Sequence, residues 1–255
     1  MVLAVDIGNT TISVGCFEKD GIQFVESIST NKNSTALEYT VLIKTVLELN
    51  GMSGQTFQGG IISSVVPSVT NPVRDAVIKL TGKPVMIVGP GIKTGLKINL
   101  DNPAQLGSDI AANAVAAVNN YPCPLIIVDM GTATTVSVIG SNRSYLGGMI
   151  IPGIGVSLNS LSSSASQLPH ISPDRPKKVI GTNTIDCMKS GIVYGAAAQI
   201  DGVADRIESE LEEKCTVIAT GDLAESIIPL CRRDIIVDDN LLLKGLMIIY
   251  NKNAQ

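Results

Sequence analysis

Two short stretches of this chain place an aspartate and a glycine at the end of an apolar run and follow them with hydroxyl residues. They read AVDIGNTTISVG over residues 4–15 and IVDMGTATTVSV over residues 127–138. A glycine at the end of a strand lets the backbone approach a ligand closely, because no Cβ stands in the way. Successive N–H groups and hydroxyls can then bind phosphate oxygens, and an ionised aspartate can hold a hydrated Mg²⁺. The two stretches therefore predict a polyphosphate site.

The groups that would form this site follow from the two stretches. Asp6 and Asp129 would provide the carboxylates, and the donors would be Gly8, Asn9, Thr10, Thr11 and Ser13 in the first stretch and Gly131, Thr132 and Thr134 in the second. An ordinary hairpin turn is the alternative for either stretch alone, because Asp, Gly and Asn all favour turns. Since each half of the chain carries one stretch, we expect a nucleotide to lie between the halves.

Composition limits the other classes of function. The chain has 255 residues, of which 45% are hydrophobic, so a sizeable core is available. Aromatic residues make up only 3% and Trp is absent, which leaves few platforms for stacking bases. The net charge is −4 and no run of Lys and Arg occurs. These features argue against binding to nucleic acid or to a membrane surface.

Sequence features also bear on the compartment. The first residues, MVLAVDIGNTT, lack a basic segment and reach an acid at Asp6, so no signal peptide is expected there. No apolar run is long enough for a membrane span. The five cysteines are scattered without the spacing of a zinc site, which is typical of reduced thiols. The expected location is cytoplasmic.

Hydrophobic periodicity predicts the elements that must position these groups. In the first half, strands are predicted at 2–8, 11–17, 22–29, 60–66 and 85–88, and helices at 34–50, 71–80 and 108–118. In the second half, strands are predicted at 125–130, 134–139, 145–151, 217–220 and 234–237, and helices at 156–162, 184–211, 223–230 and 240–250. Both halves begin with three strands and continue with alternating helices and strands, a pattern that favours α/β layers.

The same order of elements in both halves indicates a duplication. An offset of 123 residues superimposes the two aspartates, and it also matches three further pairs, Val5 with Val128, Gly8 with Gly131, and Thr11 with Thr134. Turn-forming Asn and Pro at 119–124 predict the join. We therefore expect two domains, residues 1–120 and 121–255.

Motifs along nearly the whole chain resemble those of one family. They are DIGNTTISVG (6–15), SSVVP (63–67), DNPAQLGSDIAANAVAA (101–117), VDMGTATTVSV (128–138), GGMIIPG (147–153), GTNTIDCMKSGIVYGAAAQIDG (181–202) and ATGDLA (219–224). The sequence is similar to type III pantothenate kinases, members of the acetate kinase/sugar kinase/Hsp70/actin superfamily. The resemblance implies a duplicated ribonuclease H-like (actin-like ATPase) α/β fold, with two lobes that each hold a mixed sheet flanked by helices.

The resemblance also implies an activity and a set of site residues. The activity is ATP-dependent phosphorylation of pantothenate, the first step of coenzyme A synthesis, by a homodimer that uses Mg²⁺ and a monovalent cation, K⁺ or NH₄⁺. Asp109 matches the general base and Asp129 matches the ligand of the monovalent cation. The matched ATP contacts are Asp6, Ile7, Gly8, Asn9, Thr10, Thr11, Ile12, Ser13 and Thr132, and the matched pantothenate contacts are Leu100, Gly107, Ser108, Asp109, Ile110 and Thr184.

Three positions depart from the family pattern. Ile110 stands where the family usually has Arg, the family often has an aromatic residue near Leu100, and Thr220-Gly221-Asp222 replaces the usual TGG. Loss of the arginine removes a cation that would help to hold a substrate carboxylate or the developing charge. Two alternatives therefore stay open: a kinase of another small hydroxyl or carboxyl compound, and a nucleotide-binding regulator without kinase activity.

Several candidate residues also have plainer interpretations. Asp109 would complement the dipole of a helix that Ser108 caps, whether or not it is catalytic. His170, the only histidine, is expected to be a loop residue. Arg175, Lys177 and Lys178 are expected to be solvated, and the alternative is that they reach a carboxylate in a partner subunit. The glycines of GGMIIPG either approach a ligand or shape the end of a strand. The apolar first half of the helix at 184–211 could form a dimer contact or intrachain core.

Overall fold

The predicted strands and helices are present in the structure, a computed structural model that describes residues 1–18 and 21–254. The elements up to residue 98 are β1 Val2–Ile7, β2 Thr11–Glu18, β3 Gly21–Ser29, α1 Ala36–Leu49, β4 Gly59–Ser64, α2 Pro67–Thr81, β5 Val85–Ile87 and β6 Lys97–Ile98. Helix α2 begins earlier than predicted, because Pro67 lacks the N–H that the first turn would leave unpaired. The two-residue strand β6 is too short to leave a periodic pattern in the sequence.

The remaining elements follow in the predicted order. They are α3 Ser108–Asn120, β7 Leu125–Met130, β8 Ala133–Ile139, β9 Ser144–Pro152, α4 Ile154–Ser164, α5 Thr184–Leu211, β10 Thr216–Thr220, α6 Ala224–Ile227, β11 Ile236–Val237 and α7 Leu241–Asn253, with short 3₁₀ turns at Pro103–Gln105 and Ile228–Leu230. The second of these turns forms the end of the helix predicted at 223–230. Within the described residues, no helix has both the length and the apolar character needed to cross a bilayer.

Two compact units each contain one mixed sheet. The sheet of the first unit has the order β3-β2-β1-β4-β5, and that of the second has the equivalent order β9-β8-β7-β10-β11 with β6 added beside β9. In each sheet the central strand is antiparallel to the next strand of its hairpin and parallel to the strand on its other side. The repeated strand order supports the predicted duplication.

The strand pairing also corrects one detail of the sequence alignment. Ile7 pairs with Ile12 across the first hairpin, and Met130 pairs with Thr134 across the second. The first turn therefore has one residue more than the second, so Thr134 is equivalent to Ile12. The match of Thr11 with Thr134 was wrong, because a constant offset cannot follow a change in turn length.

The compact units differ from a simple division of the chain at residue 120. The first unit contains residues 1–96, 101–119 and those from 240 onward, whereas the second contains 97–100 and 120–239. Helix α7 packs against β1 and β4 of the first unit, because Leu243, Leu246 and Ile249 recur at helical spacing and are almost fully buried there. The predicted second domain, 121–255, included this helix.

The first sheet is covered on both faces. Leu3, Val5 and Ile7 pack with α1 and α2, whereas Val2 and Ala4 point to the other face and pack with α3 and α7. The alternation follows from the two-residue period of a strand. Asp6 continues the series of Val2 and Ala4, so its side chain lies on the face that α3 and α7 cover.

A buried carboxylate holds the end of α5 in the second unit. Glu208 is only 8% exposed and accepts hydrogen bonds from Lys214 Nζ at 2.8 Å, the Cys215 N–H at 3.0 Å and Arg233 Nη2 at 3.1 Å. Burial alone raises the pKa of Glu208, but these donors outweigh it and lower the pKa from 4.5 to about 2. Glu208 therefore stabilises the fold in its ionised form.

We expect Glu208→Gln to lower the free energy of unfolding at neutral pH by roughly 2 kcal/mol, because charge-assisted hydrogen bonds to a buried group are lost. The folded-state pKa lies below the unfolded one, so this contribution is fully present above about pH 5 and disappears as the pH falls towards 2. Urea unfolding of both proteins across this pH range would measure it. Glu210→Gln, at an exposed position of the same helix, is the control and should change stability by less than about 0.5 kcal/mol. A difference independent of pH would contradict the assignment.

Candidate functional site

The turn between β1 and β2 is held firmly by its own backbone. The Gly8 N–H donates to the Thr11 carbonyl at 2.9 Å, and Thr30 binds the turn twice, through Oγ1 to the Gly8 carbonyl at 2.7 Å and through its N–H to the Thr10 carbonyl at 2.9 Å. Asn9 and Thr10 are exposed at the tip. Because the Gly8 N–H is used inside the turn, the exposed tip residues are better placed than Gly8 to donate to a ligand.

Three polar side chains share one face where β1, β2 and β4 meet this turn. Asp6 is in register with Ser13 on β2 and with Ser63 on β4. Residues in register on neighbouring strands point to the same face of a sheet. Asp6 and Ser13 are half-buried and Ser63 is fully buried. The end of the sheet thus carries a carboxylate flanked by two hydroxyls.

Asp109 lies in the first turn of α3, which belongs to the same compact unit. One oxygen of its carboxylate, Oδ1, is buried and accepts no hydrogen bond from any residue in the described ranges 1–18 and 21–254. This oxygen lies over Gly107, where an added Cβ would collide with it. Gly107 therefore leaves the space that the Asp109 carboxylate occupies.

The sequence predicted that Ser108 caps α3, but in the structure Ser108 joins the helix to β4. It is the first residue of the helix, and its Oγ accepts from the Ser64 N–H at 3.0 Å and donates to the Ser64 carbonyl at 3.1 Å. Ser63 Oγ lies 3.0 Å from the same oxygen. Residue type alone favours a capping position, but in the structure the hydroxyl binds the end of β4.

The other predicted substrate contacts lie in three places. Ile110 follows Asp109 in α3 and is half-buried. Leu100 belongs to the second unit, just beyond β6, where the Asn99 N–H donates to the Tyr145 carbonyl at 2.9 Å. Thr184 is the exposed first residue of α5.

The turn between β7 and β8 is built from close backbone approaches. Asp129 is half-buried, and an added Cβ at Gly221 would lie 2.8 Å from its Oδ1 and 2.7 Å from the Met130 nitrogen. Gly153, at the start of α4, comes so close to Thr132 that a Cβ there would overlap its carbonyl. Gly153 and Gly148 of the GGMIIPG motif therefore shape the packing around β8, which favours the structural interpretation of that motif.

The remaining candidate polar residues lie on the surface. His170, Arg175, Lys177 and Lys178 are exposed in the segment between α4 and α5. Among residues 1–18 and 21–254, no three His, Cys, Asp or Glu side chains converge on a potential metal position.

Sequence reasoning missed Ser63 and Ser64 as parts of the site. They appeared only within the SSVVP motif, at the end of a strand whose preceding residues are apolar. Two polar residues closing a buried parallel strand are the signal that could have identified them, because ligand sites form at the carboxyl ends of such strands.

Comparisons with known proteins give one family over most of the chain. The family model described as type III pantothenate kinase matches residues 2–206. A type III pantothenate kinase of Halalkalibacterium halodurans is 42% identical over 254 residues, all of both chains, and one of Brevibacillus brevis is 42% identical over 253 residues, 99% of each. The solved structure of component A of (R)-2-hydroxyglutaryl-CoA dehydratase from Acidaminococcus fermentans superimposes with a TM-score of 0.57, at 14% identity, over 100% of this chain and 99% of that one. The structural likeness confirms the predicted actin-like fold class.

We expect Gly221→Ala to lower the free energy of unfolding by roughly 1–3 kcal/mol. The residue has a φ of +94°, which alanine adopts only with strain, and the new Cβ would press on Asp129 and Met130. Chemical denaturation would measure the change. The control is Gly155→Ala in α4, where the added Cβ would have no described atom within 4 Å beyond its chain neighbours and the backbone of its own helix, and there stability should stay equal or rise by up to about 1 kcal/mol. Equal effects at both positions would show that the approach to Asp129 is not tight.

Proposed function

This chain belongs to the type III pantothenate kinase family, and we propose that it transfers the γ-phosphoryl group of ATP to the primary hydroxyl of pantothenate. The product is 4′-phosphopantothenate, and the reaction is the first step of coenzyme A biosynthesis. Family membership rests on the match of residues 2–206 and on two full-length relatives at 42% identity.

The observation that carries the mechanism is the unpartnered oxygen of Asp109. A buried carboxylate oxygen without a donor costs free energy, which a substrate hydroxyl would recover by donating to it. The same oxygen can then take the hydroxyl proton as the substrate oxygen attacks the γ-phosphorus and the bond to ADP breaks. Asp109 is therefore the proposed general base. The start of α3 adds the positive end of a helix dipole, which favours an anionic group nearby.

The proposed ATP contacts begin at the turn after β1. Exposed Asn9 and Thr10 present donors for phosphate oxygens, and Thr132 at the tip of the second turn is proposed to contact the same nucleotide. Mg²⁺ bound to ATP would neutralise charge on the phosphates. Asp6 with its flanking hydroxyls offers the oxygen ligands that a hydrated Mg²⁺ takes, so Asp6 is the proposed residue for it.

Asp129 is the proposed ligand of a monovalent cation, K⁺ or NH₄⁺. Gly221 comes close to this carboxylate, since an added Cβ there would lie 2.8 Å from Oδ1, whereas one at Gly131 would lie 3.9 Å away, at ordinary contact distance. A cation beside Asp129 would add to the neutralisation of phosphate charge. An ionised carboxylate is an oxygen ligand that a hard cation accepts.

Pantothenate is proposed to bind around the start of α3, with Gly107, Ser108 and Ile110 beside the base. Leu100 and Thr184 are proposed as further pantothenate contacts. Ile110 brings no charge to a substrate carboxylate, and this feature keeps open a kinase of another small hydroxyl or carboxyl compound. The non-catalytic alternative is less favoured, because a regulator does not need the desolvated oxygen of Asp109.

A homodimer in the cytoplasm forms part of the proposal. Large apolar side chains of the second unit stay exposed, among them Ile150 and Ile180, both at 80%. In α5 the exposed glycines at 191 and 195 would permit close helix packing, whereas Val193 and Ala197 serve the intrachain core. Sedimentation velocity should give a single species of twice the chain mass, and a monomer would contradict the dimer.

The activity is tested by coupling ADP release to NADH oxidation with pantothenate as acceptor, in K⁺, NH₄⁺ or tetramethylammonium chloride at equal ionic strength. Pantothenate-dependent ADP release supports the proposed kinase, and dependence on K⁺ or NH₄⁺ supports the cation site. Release with another acceptor only would favour the alternative kinase. ATP binding without release with any acceptor would favour the regulator.

Asp109→Asn should lower kcat by about 10²–10⁴-fold, because general-base help of that size is lost. ATP should still bind, since the proposed nucleotide contacts are elsewhere, and binding can be followed by calorimetry. Asp75→Asn, an exposed change on α2 of the same unit, is the control and should keep full turnover. Near-normal turnover of Asp109→Asn would remove Asp109 from the mechanism.

A further inference from the structure

We propose that Ser63 is a positioning residue for the general base, acting through Ser108. This inference rests on the proposed function, in which Asp109 takes the proton of the acceptor hydroxyl. Ser63 is 0% exposed at the end of β4, in register with Asp6, and its Oγ lies 3.0 Å from Ser108 Oγ. Ser108 precedes Asp109 in the first turn of α3, so Ser63 reaches the base through one residue.

The direction of the bond between the two serines follows from counting hydrogens. A serine hydroxyl has one hydrogen to donate and two lone pairs to accept with. Ser108 Oγ donates its hydrogen to the Ser64 carbonyl at 3.1 Å and accepts from the Ser64 N–H at 3.0 Å. Ser63 must therefore be the donor to Ser108. With this bond, Ser108 Oγ donates its one hydrogen and accepts at both of its lone pairs.

This bonding fixes the backbone that carries the base. The Ser64 contacts tie Ser108 to the end of β4, and the bond from Ser63 limits rotation of the Ser108 side chain around them. The carboxylate of Asp109, the next residue in the same turn, occupies space that the absence of a Cβ at Gly107 leaves open. Asp109 Oδ1 has no donor of its own in the described chain to hold it. Its placement therefore depends on the backbone of residues 107–109.

The arrangement also links the base to the nucleotide side of the unit. Asp6 and Ser63 are neighbours on the parallel strands β1 and β4, and Ser63 binds the helix that carries Asp109. The pairing of β1 with β4 thereby sets the position of Asp109 relative to Asp6. Loss of the Ser63 hydroxyl should loosen the base while leaving the strand pairing and the turn after β1 intact.

A double-mutant cycle between Ser63→Ala and Asp109→Asn tests the inference. Ser63→Ala should lower kcat for pantothenate about 3- to 10-fold, the range expected for one hydrogen bond, with little change in the KM for ATP. In the Asp109→Asn background, the same change should lower the residual turnover by less than about twofold, because the base is already absent. Equal fold losses in both backgrounds would mean a structural role independent of Asp109 and would overturn the inference.

Two further variants separate the hydrogen bond from packing. Ser63→Cys has nearly the same size but is a weak donor, so it should lose turnover as Ser63→Ala does without leaving a void. Wild-type turnover in Ser63→Cys would overturn the inference. Thr70→Val is the matched control: it removes a hydroxyl that lies 2.7 Å from Ser64 Oγ at the same end of β4, and it should leave kcat within twofold of the wild type.

Failure of this inference is distinguishable from failure of the proposed function. If the wild-type protein gives no pantothenate-dependent ADP release, or if Asp109→Asn turns over normally, the proposed function or its base is wrong. If Asp109 is required but Ser63→Ala is as active as the wild type, only the positioning role of Ser63 is overturned. Circular dichroism and calorimetric ATP binding would confirm that each variant is folded before turnover is compared.

Discussion

Parallel pairing between β1 and β4 is the constraint on which the first unit depends. It brings Asp6 and Ser63 side by side at the carboxyl ends of two buried strands, where the backbone leaves the sheet. Polar groups can collect at that edge without interrupting the apolar rows behind them, because the rows end there. The hydroxyl of Ser63 then extends this edge to α3, and Asp109 follows in the first turn of that helix.

Glycines permit close approaches to an aspartate in each unit. Gly107 leaves room for the Asp109 carboxylate, and Gly221 lets the chain after β10 come close to Asp129. In both places the backbone or a carboxylate occupies the volume that any other side chain would need. The conformational freedom of glycine matters at Gly221 as well, whose φ of +94° favours it over other residues.

The two units show how a duplicated sheet can diverge at equivalent positions. Ser63 and Thr220 occupy the same place, each in register with the aspartate of its unit. In the first unit the next residue, Ser64, binds the helix that carries Asp109, whereas in the second unit the next residue is Gly221, which closes on Asp129. The first turn is also one residue longer than the second, and its exposed tip carries Asn9 and Thr10. Equivalent sheet edges thus carry the proposed base in one unit and the proposed cation ligand in the other.

The sequence by itself determined the strand and helix order, the duplication and the two Asp-Gly turns, because these depend on local periodicity and residue type. It also carried the motifs that led to the family. Only the tertiary structure decided that α7 packs with the first unit, that Ser108 binds β4 rather than capping α3, and that Gly107 holds space for Asp109. Those outcomes depend on contacts between residues far apart in the chain, such as Ser63 with Ser108 and Ala112 with Gly245. Local propensity contains no information on such contacts, because burial and hydrogen-bond partners are fixed only when the elements pack.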